Sequence, residues 1–249
     1  MTHPASNGQH DGIAEAVLRN QRLLVVAVHP DDEVLGCGGL IKKVKDHGGE
    51  VYVLYVTVGP SPQYDHVHKF TDVATRQRET DAVAEYLGID GYELALVGEE
   101  YHLNLNAVPQ RTLVDLIEKT STVSMAAVRP TMIAIPAPNH YHQDHRAVFD
   151  ASFAACRPMP HDLKPFQSIV LMYEQPCYSW SSARLEPNFY VDITQQLESK
   201  IHALELHESQ IRTGLHVRTA DNLRRVAEVR GREVGVEAAE AFICHRFVL

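Results

Sequence analysis

The sequence predicts an α/β fold built on an open, mostly parallel β-sheet flanked by helices on both faces. Three observations carry this. Short, continuous apolar runs such as LLVVAV (residues 23–28) and VYVLYVTV (51–58) suit strands buried on both faces. Segments with helical patterning alternate with them, which is the order of βαβ units. With 45% hydrophobic and 22% charged residues over 249 positions, the chain can also bury a substantial core.

The elements follow in order. After the first strand, Pro30 biases His29 towards extended backbone. Residues 34–44 read as a helix despite their glycines and end near Gly48 and Gly49, and residues 51–58 form the second strand. Residues 75–87 read as an amphipathic helix stopped by Gly88, 93–97 as a strand, and 109–120 as a helix opened by Pro109. A strand at 131–135 leads into the loop PAPNHYHQDH and a helix at 146–156. A further strand at 168–173 precedes a polar, aromatic stretch through residue 194, followed by predicted helices at 195–211, 220–230 and 236–242. With no internal repeat or low-complexity tract, residues 21–249 are expected to form a single domain behind an N-terminal extension, residues 1–20.

Composition narrows the partners. Lys plus Arg total 23 against 32 Asp plus Glu, a formal net charge of −9, which disfavours nucleic acid or an anionic membrane surface. No run approaches the roughly 20 apolar residues of a membrane-spanning helix, and the first residues lack the pattern of a signal peptide, so a cytoplasmic location is expected. The four cysteines, Cys37, Cys156, Cys177 and Cys244, form no C-x-x-C pair and read as reduced thiols.

In open sheets of this kind, ligands sit outside the carboxyl ends of the strands. Two loops there are rich in metal-binding residue types: HPDDE after the first strand and HYHQDH after the strand at 131–135. Two imidazoles and one carboxylate can bind a catalytic zinc while leaving a position open for water. The candidates are His29, Asp31, Asp32, His140, His142, Asp144 and His145. Of the adjacent carboxylates Asp31 and Asp32, one could bind metal while the other serves as base for the attacking water. The plainer alternatives are that Asp31 or Asp32 caps the following helix and that His140 or His142 is a solvated loop residue.

The stretches AVHPDDEVLGCGG and HQDHRAV resemble the PIG-L/LmbE family of zinc-dependent N-deacetylases. Further likeness lies in Arg76-x-x-Glu79 ending at Leu87-Gly88, in YVDIT leading to Lys200 and Ser209-Gln210, and in RGREVGVEAAEAF, so that it spans about residues 23–242. The resemblance implies a Rossmann-like (LmbE-like) fold in which His29, Asp32 and His145 bind Zn²⁺ and Asp31 is the general base. It implies that His142 stabilises the oxyanion and protonates the leaving amine, that Asp144 orients an imidazole, and that Arg76 lies near sugar hydroxyls. The substrate implied is a small molecule bearing an N-acetylated amino sugar. Homo-oligomer formation is common in the family and is an expectation here.

The departures from the family pattern also count. An acidic substrate contact expected after the strand at 93–97 falls on VGEEYHL, where Glu99 and Glu100 compete and Glu99 is taken. The loop from Gly59 to Asp72 is expected to be a lid or specificity loop, with His66 and His68 solvated or touching substrate. His202, His207 and His216 are expected to be structural, and Tyr178 and Trp180 to sit in the core, an interface or a substrate rim. Competing readings of the ligands are a non-haem iron oxygenase, a metal-containing binding module without turnover, and an amidase for a non-sugar amide or thiol conjugate.

Overall fold

A computed structural model describes residue 12 and residues 16–63, 69–138, 140–176 and 180–249. Its centre is a seven-stranded sheet in the spatial order β5-β2-β1-β6-β7-β9-β8. The strands are β1 (Arg22–Ala27), β2 (Glu50–Val58), β5 (Gly91–Val97), β6 (Met132–Pro136), β7 (Ile169–Tyr173), β8 (Phe189–Asp192) and β9 (Ala239–Phe247). Every pairing is parallel except those of β9 with β7 and β8. A small antiparallel pair, β3 (Ser61–Pro62) and β4 (Phe70–Thr71), closes the base of the loop after β2.

The helices are α1 (Asp32–Asp46), α2 (Val73–Leu87), α3 (Gln110–Asp115), α4 (Met125–Val128), α5 (Gln143–Ala155), α6 (Leu197–Leu206) and α7 (Ala220–Val234). α3 runs on into a π-helical turn over Leu116–Thr120, and a 3₁₀ turn covers Leu105–Ala107. Alternate residues of β1 feed two cores. Leu23, Val25 and Ala27 pack with α1, α2, α6 and α7, while Leu24 and Val26 pack with α3, α4 and α5. Both faces are therefore covered, which is why these strands read as unbroken apolar runs.

Sequence readings are corrected in three places. Residues 236–242 are not a helix: Gly235, at φ 81°, ends α7, and the chain turns into β9, whose first four residues are buried between β7 and β8. Pairing on both sides satisfies that backbone and overrides the local helical preference of VEAAEAF. The stretch after β7 likewise contains a strand, β8, made by pairing with β9. The helix expected at 195–211 is shorter, Leu197–Leu206. Cys37 and Cys156 are buried free thiols and Cys244 is half-buried and free, while Cys177 and Tyr178 lie outside the described residues. Among the described residues no helix is long and apolar enough to cross a membrane.

The glycines of α1 have a packing reason. A Cβ on Gly36 would stand 2.3 Å from Cδ2 of Tyr173, and one on Gly39 2.5 Å from Cγ2 of Ile193. Tyr173 is buried and its hydroxyl donates to Val26 O at 3.0 Å, so it cannot retreat without losing that bond. Gly36→Ala is expected to destabilise the fold by on the order of 1 kcal/mol in urea titration. The overpacking cost of about 1–3 kcal/mol outweighs the roughly 1 kcal/mol gained in helix propensity. An unchanged midpoint would show that α1 can lift from β7 freely.

A buried carboxylate links the π-helical turn to the segment after α5. Glu118 accepts from Lys164 Nζ at 2.8 Å and from Arg157. Burial alone would raise its pKa, but these two cations overcome it and hold it below the usual glutamate value. The stability this contributes is present above about pH 4.5 and lost as the pH falls through the lower, folded-state value. Acid titration of stability is therefore expected to be shallower in Glu118→Gln than in the parent chain.

Candidate active site

β1 neighbours β2 on one side and β6 on the other, so the crevice between the ends of β1 and β6 is a topological switch point, where ligands bind in open α/β sheets. Residues 28–31 leave β1 at this point and residues 137–142 leave β6. The site is assembled from these two exits, with additions from residues 98–104, Gln175 and the segment after α6.

At the first exit Asp31 takes φ 119° and ψ −25°, a left-handed conformation that costs a side-chain-bearing residue about 1–3 kcal/mol. Two contacts hold it. Its backbone N–H donates to Glu33 Oε2 at 2.9 Å, and its Oδ2 accepts from Arg218 Nη1 at 2.9 Å. Glu33 and His207 are both fully buried and meet at 2.8 Å. Burial would raise the Glu33 pKa, yet His207 pulls it below the ordinary value, so a fixed carboxylate faces the strained amide. His207 is thus structural, as expected, but what it supports is this turn.

The turn throws the Asp32 side chain back over β1. Asp32 Oδ2 accepts from His29 N at 2.9 Å and stands 3.7 Å from His29 Nδ1 and 3.5 Å from His145 Nε2. Its other oxygen, Oδ1, accepts from Gln175 Nε2. Neither aspartate therefore caps α1 in the simple sense. Asp31 occupies the cap position but its side chain makes no cap hydrogen bond.

At the second exit α5 begins at Gln143, three residues earlier than the sequence suggested, so Asp144 and His145 sit in its first turn rather than in a loop. His142 is the capping residue: its Nδ1 accepts from Asp144 N at 3.1 Å, leaving Nε2 as the atom that can face a ligand. His140 is buried, stacks on His145 at 4.2 Å between ring centroids, and accepts from His142 N. Neither histidine is a solvated loop residue.

Asp144 Oδ1 accepts from Leu105 N at 2.9 Å, and Oδ2 lies 3.0 Å from His29 Nε2. A carboxylate there selects the tautomer with hydrogen on Nε2, which leaves the Nδ1 lone pair turned towards Asp32 and His145. The imidazole that the Asp144 carboxylate touches is therefore His29. His29, Asp32 and His145 each offer one ligand atom, all within 4.8 Å of one another. Burial, and then neighbouring histidines, push His29 and His145 well below the ordinary histidine pKa, keeping both rings neutral. Burial, and then Asp31, push Asp32 up. Two neutral imidazoles and a carboxylate that lacks a cation fit a divalent metal such as zinc.

His102 was missed in the sequence. It packs edge-on against His29 at 5.1 Å, and burial, then Arg76, hold it down to about 4. The turn carrying it can close because residue 59 is glycine: a Cβ there would meet His102 Cβ at 2.4 Å. The signal for it was a histidine in VGEEYHL, directly after a parallel strand. Glu99 of the same turn is exposed, with no hydrogen bond to the site among the described residues. Arg76 is buried, and so is its ion pair with Glu79 at 3.4 Å, unlike a surface helix pair. Burial lowers the His142 pKa, and the Asp144 carboxylate opposes that shift. His66 and His68 lie outside the described residues.

Comparison with known proteins places this geometry in context. The family model PIG-L, described as GlcNAc-PI de-N-acetylase, matches residues 24–156, more than half of the chain. The diacetylchitobiose deacetylase of Thermococcus kodakarensis is 26% identical over 239 residues, covering 92% of this chain and 83% of the relative. A probable N-acetyl-α-D-glucosaminyl L-malate deacetylase of Bacillus cereus is 27% identical over 199 residues, covering 76% of this chain and 84% of the relative. The solved structure of the 4-carboxy-2-hydroxymuconate hydratase GalB of Pseudomonas putida superposes with a TM-score of 0.70 at 21% identity, covering 92% of this chain and 98% of that one. At that identity the last likeness shows a shared fold alone.

Asp144→Asn is expected to weaken divalent-metal binding about 10- to 100-fold in a competition titration with a chelator, because His29 loses its anionic anchor. Unchanged affinity would separate Asp144 from the metal site.

Proposed function

The chain belongs to the PIG-L family, and from that premise we propose that it is a zinc-dependent hydrolase that removes an N-acetyl group from an amino-sugar-containing small molecule. The observation that carries this reading is the spare carboxylate of Asp31 beside the triad of His29, Asp32 and His145. Arg218 engages only its Oδ2, and a metal-containing binding module would have no use for the remaining oxygen. The relatives named as deacetylases of diacetylchitobiose and of an N-acetylglucosaminyl malate support an amino sugar as substrate.

In this reading, zinc held by His29, Asp32 and His145 would supply Lewis-acid polarisation of the acyl carbonyl and of the attacking water. Asp31 keeps Oδ2 on Arg218, and its Oδ1, which has no partner among the described residues, accepts the proton as water oxygen bonds to the acyl carbon. His142 meets the developing negative charge on the acyl oxygen through its Nε2–H, its Nδ1 being engaged by the helix cap. The C–N bond then breaks as the proton held on Asp31 Oδ1 passes to the departing nitrogen, and the products are a free amine and acetic acid, which ionises to acetate. Arg76 from the buried wall and Glu99 from the exposed turn are the proposed contacts to the sugar.

Hydration of a carbon–carbon double bond, the reaction class in the name of the structurally similar hydratase, also begins with an activated water. Acetate release therefore discriminates between the two. The purified protein is expected to contain zinc and to release acetate from N-acetylated amino sugars, with the activity lost on chelation and restored by zinc. Bound zinc with no acetate released from any of them would overturn the substrate class. Asp31→Ala is expected to lower turnover by about 10²- to 10⁴-fold with metal content unchanged, and normal turnover in that variant would remove Asp31 from the base role.

A further inference from the structure

Arg218 belongs to the segment between α6 and α7 and reaches the site at Asp31. This segment is well anchored. Arg212 N donates to Arg218 O at 3.1 Å, Arg218 N to His216 Nδ1 at 3.0 Å, and Asn222 Nδ2 to Val217 O at 2.8 Å. The guanidinium uses only one of its nitrogens. Nη1 donates to Asp31 Oδ2 at 2.9 Å and, more loosely, to Gln210 Oε1 at 3.4 Å. Among the described residues neither Nε nor Nη2 has an acceptor, and the side chain is 29% exposed.

The unused edge, Nε–H with one Nη2–H, is the two-pronged face with which arginine grips a carboxylate or phosphate. Its orientation is set by the wall behind it. Gln210 Nε2 donates to Ser209 Oγ at 2.9 Å; Ser209 Oγ and N donate to Glu79 at 2.8 and 2.6 Å; and Glu79 pairs with Arg76. One polar chain thus locks two guanidiniums into the same side of the site.

Asp31 is the only carboxylate in contact with Arg218 among the described residues, and it meets Nη1 alone.

We propose that the substrate carries a carboxylate or phosphate close to its N-acetylated sugar, and that Arg218 is the specificity-determining residue that recognises this group through Nε and Nη2. This rests on the deacetylase reading but adds to it a substrate charge and the residue that reads it.

The test compares N-acetylglucosamine with N-acetylmuramic acid, N-acetylglucosamine 1-phosphate and N-acetylglucosamine 6-phosphate. The proteins are the zinc-loaded parent, Arg218→Gln and Arg218→Lys, each checked for folding by circular dichroism. The readout is the ratio of kcat/KM for each anionic sugar to that for the neutral one, which cancels any general effect of the substitution on Asp31. For at least one anion the parent ratio is expected to be about 10- to 100-fold above one. It should fall to near one in Arg218→Gln and lie between in Arg218→Lys, which keeps the charge but not the fork. Muramic acid and the two phosphates identify which anion is read.

A parent ratio near one for every anion, or a preference that survives in Arg218→Gln, overturns the proposal while leaving the deacetylase reading intact. If no sugar releases acetate, the deacetylase reading fails, and calorimetric binding of the same four sugars still decides the role of Arg218. Tighter binding of an anionic sugar that is lost in Arg218→Gln supports it, and equal binding of all four overturns it.

Discussion

The site depends on one strained turn. At Asp31 the chain adopts a left-handed conformation that its side chain disfavours, and this reversal lets Asp32 point back at His29 while Asp31 stays beside it. Strain of this kind survives only where surrounding contacts over-determine it. Here the buried Glu33–His207 pair grips the amide of Asp31, and Arg218 grips its carboxylate. The clamp draws on residues up to 187 positions away in sequence, so the geometry of HPDDE is a tertiary property even though its letters are contiguous.

The sheet supplies the second requirement, a place where two loops can face one another. Because β6 pairs with β1 on the side away from β2, the exits of β1 and β6 face across a gap with no crossover between them. Close approach is then a matter of small residues. Gly36 and Gly39 let α1 lie against β7 and Ile193, and Gly59 lets the turn after β5 bring His102 onto His29. Removing side-chain volume at these positions moves whole elements nearer, which no rearrangement of the loops alone could do.

Electrostatics completes the arrangement. Burial keeps the two candidate ligand imidazoles neutral and makes a charged Asp32 costly, so the pocket is poised for a divalent cation. Polar partners each occupy one atom of His29, Asp32 and His142 and leave the second outside those bonds. Asp144 takes one nitrogen of His29, Gln175 takes one oxygen of Asp32, and His142 spends one nitrogen on capping α5. Burial acts on His142 in the same direction, with the Asp144 carboxylate opposing it.

The sequence by itself determined the alternation of buried strands and helices, and the placing of HPDDE and HYHQDH at strand ends, because apolar runs and their punctuation are local signals. It marked seven candidate residues within two short stretches for the same reason, and the choice of His29, Asp32 and His145 among them came from the family resemblance. It misread residues 236–242 as helix, since only pairing with β7 and β8 makes residues 239–242 the start of β9. It was silent on His102, on Gln175, and on Glu33 with His207 as a clamp. Arg218 too was invisible, sitting amid ordinary charged residues before a helix. Partners that meet across 100 residues or more leave no mark in local spacing, so which nitrogen of His29 faces the metal position, and which cation faces Asp31, were settled only when the chain packed.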